Sequence, residues 1–390
     1  MTDPIPVNTP AYIYDGARIR DNITKLREAL PQFEILYSIK ANPFPPLVRY
    51  IASQTIGADA ASRNEVLLAC DAGISPEHIY YSGPGKTKTD LEETFDSCIL
   101  IADSFHELEL INQIAHARGI TKEVGIRINP DFTMNEGAGC PAKFGIDEEL
   151  CTNEAFAAYS SIVITGIHVH VQSQELDWEK ICRYYENVFR LAVRIRQELR
   201  HPLSFINFGS GIGVPYQETD NPVNLTALQK RAAAITETYR QEIPAKLLIE
   251  SGRFLVCEAG TYVTEVLDIK YSRGRTYLIV AGGLNGFVRP AAAALLTPDH
   301  VPAEPIFTAK DAWRITSDSA AEETVPVTIV GNLCTASDIL AENIRLPRPA
   351  IGDRITFTHA GSYACTLSPQ LFGSQKKPEE VFLSPVSRSH

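Results

Sequence analysis

No stretch of this chain approaches 18 successive apolar residues, so no membrane-spanning helix is expected. The opening Met1-Thr2-Asp3-Pro4-Ile5-Pro6 has neither a basic segment nor an apolar core, and no secretory leader is expected from it. The eight cysteines are scattered, with no CxxC pair and no metal-ligand spacing. That argues against a disulfide framework or a zinc centre and for reduced thiols in a cytoplasmic protein. Positive charge is scarce: 36 Lys and Arg face 47 Asp and Glu, for a net charge of −11. That balance argues against nucleic acid as the main partner, although a few local arginines could still dominate a pocket for an anionic substrate. Internal repeats and low-complexity tracts are also missing.

What remains is an ordinary globular composition, 44% apolar and 21% charged, in 390 residues. That length suffices for one large core and a second one. Short apolar runs recur at Ile35–Ile39, Ile56–Ala58, Ile79–Ser82, Ile99–Ala102, Val124–Ile128, Ile162–Val171, Phe205–Phe208 and Leu247–Ile249. Helical patterns lie between most of them, as at Arg63–Ala72, Ser104–Arg118, Trp178–Leu199 and Thr226–Arg240. Eight strands each trailed by a helix predict a TIM-type (β/α)8 barrel over residues 28–265. Beyond it, Tyr262–Tyr271, Thr276–Val280, Val325–Val330 and Arg354–Thr358 come with turns and little helix. The fold class is thus α/β plus β: a second, mostly β domain is formed by 266–390 together with 1–27, whose strand Ala11–Tyr14 joins it.

Candidate chemistry gathers at the C-terminal ends of barrel strands, where such barrels keep their active sites. Lys40 ends the run Phe33–Lys40; a lysine facing a barrel mouth is expected to be partly desolvated, which favours the free amine that can hold a carbonyl cofactor as a Schiff base. A surface lysine is the plain alternative. Gly209-Ser210-Gly211 follows a strand and could bring backbone N–H groups to a phosphate, or simply form a tight turn. In Glu250-Ser251-Gly252-Arg253, the acid could hold a pyridine nitrogen and Arg253 a phosphate or carboxylate, or the two could pair with each other. His168 and His170 share one strand face. An imidazole stacked on a flat ring suits His170, with Ser173 as a phosphate donor, whereas His168 reads as a hydrogen-bonded core histidine. Arg127 either supports the ring side or forms a strand-end salt bridge.

Together these segments resemble the diaminopimelate/ornithine decarboxylase family, the fold-type III enzymes that use pyridoxal 5'-phosphate (PLP), from Tyr12 to about Leu383. Tyr37-Ser38-Ile39-Lys40-Ala41-Asn42 resembles the family's Schiff-base lysine motif, the segment Gly57–Glu65 with Asp59 its second strand, and Ala142-Lys143-Phe144-Gly145-Ile146 its SKFG stretch. The resemblance implies cofactor contacts from Asp59, Arg127, His170, Ser173, Gly209, Gly211, Glu250, Gly252, Arg253 and Tyr363, the last in Gly361-Ser362-Tyr363. Gly331–Asp338 resembles GPxCESxD, which makes Cys334 the acid that reprotonates the α-carbon, across the interface of a homodimer with shared active sites. Without that resemblance Cys334 would read as a buried structural thiol.

Two departures bear on the substrate. Thr335 stands where diaminopimelate decarboxylases carry a Glu for the distal ammonium, and a hydroxyl cannot neutralise that charge. Losing such a partner costs roughly 3–5 kcal/mol of binding. Arg289, in the segment resembling RPALY, keeps the arginine for a distal carboxylate, while Ala293 replaces the tyrosine and Ala291–Ala294 leaves room or packs as helix. The expectation is decarboxylation of an amino acid or conjugate with an anionic or bulky distal group, free or carrier-bound, with Arg289, Thr335 and Tyr363 on the substrate. The alternatives are diaminopimelate decarboxylation in lysine biosynthesis, a racemase or epimerase, and a non-catalytic homologue. Glu250 and Cys334 argue against the racemase; the retained Lys40, His170, Arg253 and Tyr363 argue against the non-catalytic protein.

Overall fold

The computed structural model describes residues 7–135, 137–209, 211–216, 219–290 and 315–385. The chain forms two compact units: a barrel unit, Arg20–Val214 with Asn221–Gly252, and a strand-rich unit, Met1–Ile19 with Pro215–Asp220 and Arg253–His390. The first strand, β1 (Ala11–Asp15), belongs to the strand-rich unit.

The barrel unit contains β2 (Glu34–Ser38), β3 (Gly57–Ala60), β4 (Ile79–Tyr81), β5 (Ile99–Ala102), β6 (Lys122–Asn129), β7 (Ile146–Asp147), β8 (Ile162–His168), β9 (Phe205–Asn207) and β10 (Lys246–Ser251). All pair in parallel, and the β10–β2 and β5–β6 pairings close eight of them into a barrel, with β7 appended to β6. Strands of this kind are covered on both faces, which is why they read as near-continuous apolar runs. Leu36, Tyr80, Ile101, Phe205 and Leu248 form a buried cluster in this unit. Phe205 fits because its neighbours are glycines: a Cβ on Gly166 would lie 2.2 Å from its ring and one on Gly125 2.8 Å.

The helices begin where caps stand. The Ser62, Ser104 and Asp177 side chains accept from the backbone N–H of Glu65, Glu107 and Glu179, starting the helices Arg63–Asp71, Phe105–Ala117 and Trp178–Leu199. The strict strand-helix alternation expected from the sequence is relaxed at two strands. After β6 the chain passes through a loop and β7 before a four-residue helix, Asn153–Phe156, and β10 is followed only by Arg253–Val256.

The strand-rich unit adds β11 (Gly260–Ser272), β12 (Arg275–Val280), β13 (Ile315–Ser317), β14 (Thr324–Val330), β15 (Ile339–Pro347), β16 (Arg354–Phe357) and β17 (Glu379–Leu383). Their order is β13-β16-β11-β12-β14-β15, with β1 antiparallel to β11 and parallel to β17. The expected strand at Ala11–Tyr14 therefore does join this sheet. Residues Tyr262–Glu265 of β11 pair with β16 and Val266–Ser272 with β12, with a register shift between Val266 and Asp268 inside the second part. Rings fill the core: Tyr262 lies 5.0 Å from Tyr12 and 5.5 Å from Phe287, and both phenols donate to backbone carbonyls, of Gly282 and Gly286.

Candidate active site

Lys40 lies in a single helical turn, Ile39–Ala41, just past β2. Its ammonium is 3.0 Å from Asp59 Oδ2, and its side chain is 42% exposed. The side chain is thus partly withdrawn from water and meets a carboxylate. Asp59, on β3, is wholly buried and also accepts from Ser82 Oγ at 2.6 Å. Nearby Glu65 accepts from the Ala61 N–H; burial and the Asp59 charge push its carboxyl up to about 7.

Glu250, on β10, is 3% exposed. Its Oε1 accepts from Asn207 Nδ2 at 2.8 Å and lies 3.0 Å from His168 Nε2, without the alignment of a hydrogen bond. His168 is buried, as expected, but meets a carboxylate rather than a well-aligned hydrogen-bond partner. Burial pulls the Glu250 carboxyl up, yet the positive potential of His168 and Lys40 outweighs it and holds the group well below the usual carboxylate range.

His170 follows β8, and its Nε2 lies 3.2 Å from Ser173 Oγ. Burial, aided by repulsion from Arg127 and Lys40, outweighs the pull of Glu250 and lowers the imidazole to about 3, so the ring is neutral at pH 7. The adjoining turn has to be glycine at Gly209, where φ is +60° and a Cβ would stand 2.4 Å from His170 Nδ1. Gly211 also has a positive φ, of +83°. Ser210, between them, lies outside the described residues. At Gly252 a Cβ would meet Ala41 Cβ at 2.7 Å, so glycine lets the end of β10 pack against the lysine turn.

Arg127 forms the strand-end ion pair weighed for it, Nη1 lying 3.7 Å from Asp103 Oδ1, and its guanidinium also lies 4.4 Å over the Phe144 ring of the SKFG-like stretch. In the segment Thr133–Cys140, Met134 is 2% exposed and packs on Gly211, and Asn135 Nδ2 donates to Gln172 Oε1, so its described part is tied down.

In the strand-rich unit Arg253 is 7% exposed, donates to the Tyr216 hydroxyl at 2.6 Å and lies 4.9 Å over the Tyr363 ring. The mutual ion pair considered for Glu250 and Arg253 gives way to separate partners for each. Tyr363 has a left-handed backbone, φ +51°. Arg289 is 1% exposed and its Nη1 donates to the carbonyls of His359 (3.1 Å) and Ser362 (3.0 Å). Cys334 is exposed, in the bend between β14 and β15, which overturns the buried-thiol alternative. Thr335 Oγ1 is 2.9 Å from Ser337 Oγ. The small-residue run with Ala293 lies outside the described residues.

An amine, an ionised buried acid, a neutral imidazole and a glycine turn thus lie at the C-terminal ends of the neighbouring strands β2, β10, β8 and β9. The pyridoxal binding domain of the pyridoxal-dependent decarboxylases matches residues 16–257. The chain belongs to this family. Over 384 residues it is 32% identical to the L-glutamyl-[BtrI acyl-carrier protein] decarboxylase of Niallia circulans, covering 96% of this chain and 88% of that one. It is 30% identical over 389 residues to the 2-[(L-alanin-3-ylcarbamoyl)methyl]-2-hydroxybutanedioate decarboxylase of Staphylococcus aureus, covering 96% and 94%. The crystal structure of diaminopimelate decarboxylase from Helicobacter pylori complexed with L-lysine superimposes with a TM-score of 0.83 at 29% identity, covering 97% of this chain and 92% of that one. This pyridoxal-dependent decarboxylase is therefore a carboxy-lyase whose cofactor is PLP.

The residues present suit that group. Glu250 Oε2 accepts no hydrogen bond among the described residues, which leaves an ionised oxygen for a protonated ring nitrogen. A side chain at Gly209 would fill space beside His170. Sequence reasoning assigned nothing to Asn207, Ser82, Glu65 or Tyr216. An asparagine closing an apolar strand was a usable signal for Asn207, which is wholly buried, orients Glu250 through Nδ2 and takes the Gly209 N–H at 2.9 Å through Oδ1. Among the described residues no helix is long and apolar enough to cross a membrane.

Proposed function

We propose that this decarboxylase removes the α-carboxylate of an amino acid or amino-acid conjugate whose distal end is anionic or bulky. One observation carries the reading. In Gly331–Asp338 the position after Cys334 is a threonine paired with a serine hydroxyl, and the one carboxylate, Asp338, accepts the backbone N–H groups of Leu284 (2.6 Å) and Leu333 (2.9 Å). A distal ammonium would meet no available negative charge from this turn, a loss of roughly 3–5 kcal/mol if the group is buried. Similarity to relatives named for a glutamyl carrier-protein substrate and for a hydroxybutanedioate conjugate supports the same reading. The second reading, diaminopimelate decarboxylation, is favoured by the likeness to the Helicobacter pylori enzyme.

In the proposed mechanism Lys40 would supply the amine that holds the cofactor. PLP, when bound, supplies the electron sink for the bond that breaks at the α-carbon. Glu250 would face the ring nitrogen and favour its protonated form, with Asn207 and His168 fixing its other oxygen. His170 would hold the ring, Asp59 orients Lys40, and Arg127 supports the ring side. Gly209, Gly211, Ser173, Gly252, Arg253 and Tyr363 would hold the phosphate. Arg289 seats the distal acid, Thr335 and Tyr363 contact the substrate, and Cys334 Sγ–H delivers a proton to the α-carbon.

We further propose a homodimer in which Cys334 serves the partner's site. Its exposure supports this, as do the exposed Leu367, Leu371 and Phe372 in the segment whose Gly373 packs on Leu333. The deciding experiment follows carbon dioxide release and product mass with meso-diaminopimelate, lysine, ornithine, arginine, glutamate and N-acylated or citrate-conjugated diamino acids. Turnover confined to the anionic or conjugated members is expected; efficient turnover of meso-diaminopimelate overturns the reading.

A further inference from the structure

Tyr216 stands between two arginines. It lies in Pro215–Asp220, the short excursion that belongs to the strand-rich unit, and is 7% exposed. Its hydroxyl takes the Arg253 Nη1–H at 2.6 Å, and the Arg289 guanidinium lies 4.7 Å over its ring. Cys257 Sγ is 3.2 Å from the same hydroxyl and 3.6 Å from the His359 carbonyl, the carbonyl that also accepts from Arg289 Nη1. One set of donor directions satisfies every atom: Arg253 N–H to the Tyr216 oxygen, Tyr216 O–H to Cys257 sulfur, Cys257 S–H to the His359 carbonyl, Arg289 N–H to that carbonyl. Burial, with Cys257 adding to it, raises the phenol's pKa, so its proton stays in place.

The far end of this chain is held in an unusual backbone state. His359 is a non-glycine residue at φ +56°, a conformation that persists only where the surroundings enforce it. Its Nδ1 lies 2.9 Å from Thr358 Oγ1 and its ring 5.7 Å from that of Tyr216. The strain turns one carbonyl toward both a thiol and a guanidinium.

We propose that Tyr216, Cys257 and the His359 carbonyl form a hydrogen-bonded bridge that positions Arg253 and Arg289 as one unit, coupling cofactor binding to recognition of the substrate's distal acid. Tyr216 is then a positioning residue: it acts through the two arginines. The link to cofactor and substrate rests on the roles proposed above for Arg253 and Arg289.

The test is a double-mutant cycle, Y216F with R289M, read as the PLP dissociation constant of the apoprotein and as KM for a distal-carboxylate substrate. Y216F keeps the ring and removes the hydroxyl. R289M is expected to weaken PLP binding in the wild-type background and to lose that effect in Y216F, a coupling of roughly threefold to tenfold. C257A should abolish the coupling too, and C257S, which retains a donor and acceptor, should keep it. Additive effects on PLP affinity, including no effect of R289M in either background, overturn the bridge. Unchanged KM in R289M with coupling intact instead overturns the substrate role of Arg289 and leaves the bridge standing. Melting curves report folding; should Y216F fail to fold, C257A with R289M reads the same coupling, and R289K replaces an unfolded R289M.

Discussion

The two units handle buried charge in opposite ways. In the barrel unit side-chain nitrogens meet carboxylates: Lys40 with Asp59, His168 with Glu250, and Lys86 with Glu107, the last pair only 1% and 2% exposed and 2.7 Å apart. In the strand-rich unit Arg253 has no carboxylate partner among the described residues and lies against two phenol rings, and Arg289 donates to backbone carbonyls. A guanidinium tolerates such surroundings because its charge is spread over a plane that stacks on rings and forks onto oxygens, whereas an ammonium is a compact, strongly hydrated charge. The barrel's pairs fix side chains in place; the arginines keep positive potential available for anions.

The largest effect expected is at Lys40. K40A should abolish decarboxylation and remove the visible absorption of the bound cofactor, because no other amine among the barrel's site residues replaces it. Mixing K40A with C334A sharpens the contrast between the units: if sites are shared between subunits, hybrids carry one intact site and activity returns. Mixtures that form hybrids yet stay inactive would show that Cys334 does not act in trans.

Stability comes next. Lys86 Nζ also donates to the carbonyl of Ile101, and Glu107 accepts the N–H groups of Gly85 and Asp103, so the pair anchors the loops after β4 and β5. K86M strands a buried carboxylate and should cost about 3–5 kcal/mol in urea unfolding, while an apolar double replacement should recover part of it. A loss below about 1 kcal/mol would place this pair with exposed ones, whose worth is that small.

The smallest effect is in pH dependence, and it belongs to the barrel. Glu65, raised to about 7 in the fold from an ordinary 4.5, favours the folded state fully below pH 4.5 and progressively less as pH rises through 7. His170, lowered to about 3 from 6.5, acts oppositely: its contribution is complete above 6.5 and is lost as pH falls toward 3. Between 4.5 and 6.5 the two slopes oppose each other. Thermal melts of E65Q should therefore show a steeper rise in stability with pH over that window than wild type; parallel curves would contradict the raised carboxyl.

Much of the barrel was legible beforehand. Strand positions followed from apolar runs, and the helix Trp178–Leu199 has the span its pattern predicted, because a face that must be buried imprints its period on local sequence. In the strand-rich unit β13, β15 and β17 went unread. In β15, Ile339–Pro347, only one or two residues in each stretch turn inward, so no run of apolar residues marks it. The chemical segments at Lys40, His170, Gly209 and Glu250 were visible because each adjoins a strand end; Tyr216 was not, being one tyrosine in an irregular loop.

Sequence by itself determined most of the barrel's strands and helices, the family, and the lysine proposed to carry the cofactor, since periodicity and short motifs are local properties of the chain. Only the tertiary structure decided which charge meets which: Lys40 against Asp59, Lys86 against Glu107 across 21 residues, and Arg253 and Arg289 against Tyr216. The physical reason is burial. Once water is removed, a charged or polar group must take its partner from whatever the returning chain brings within about 3 Å, and composition does not say what that will be.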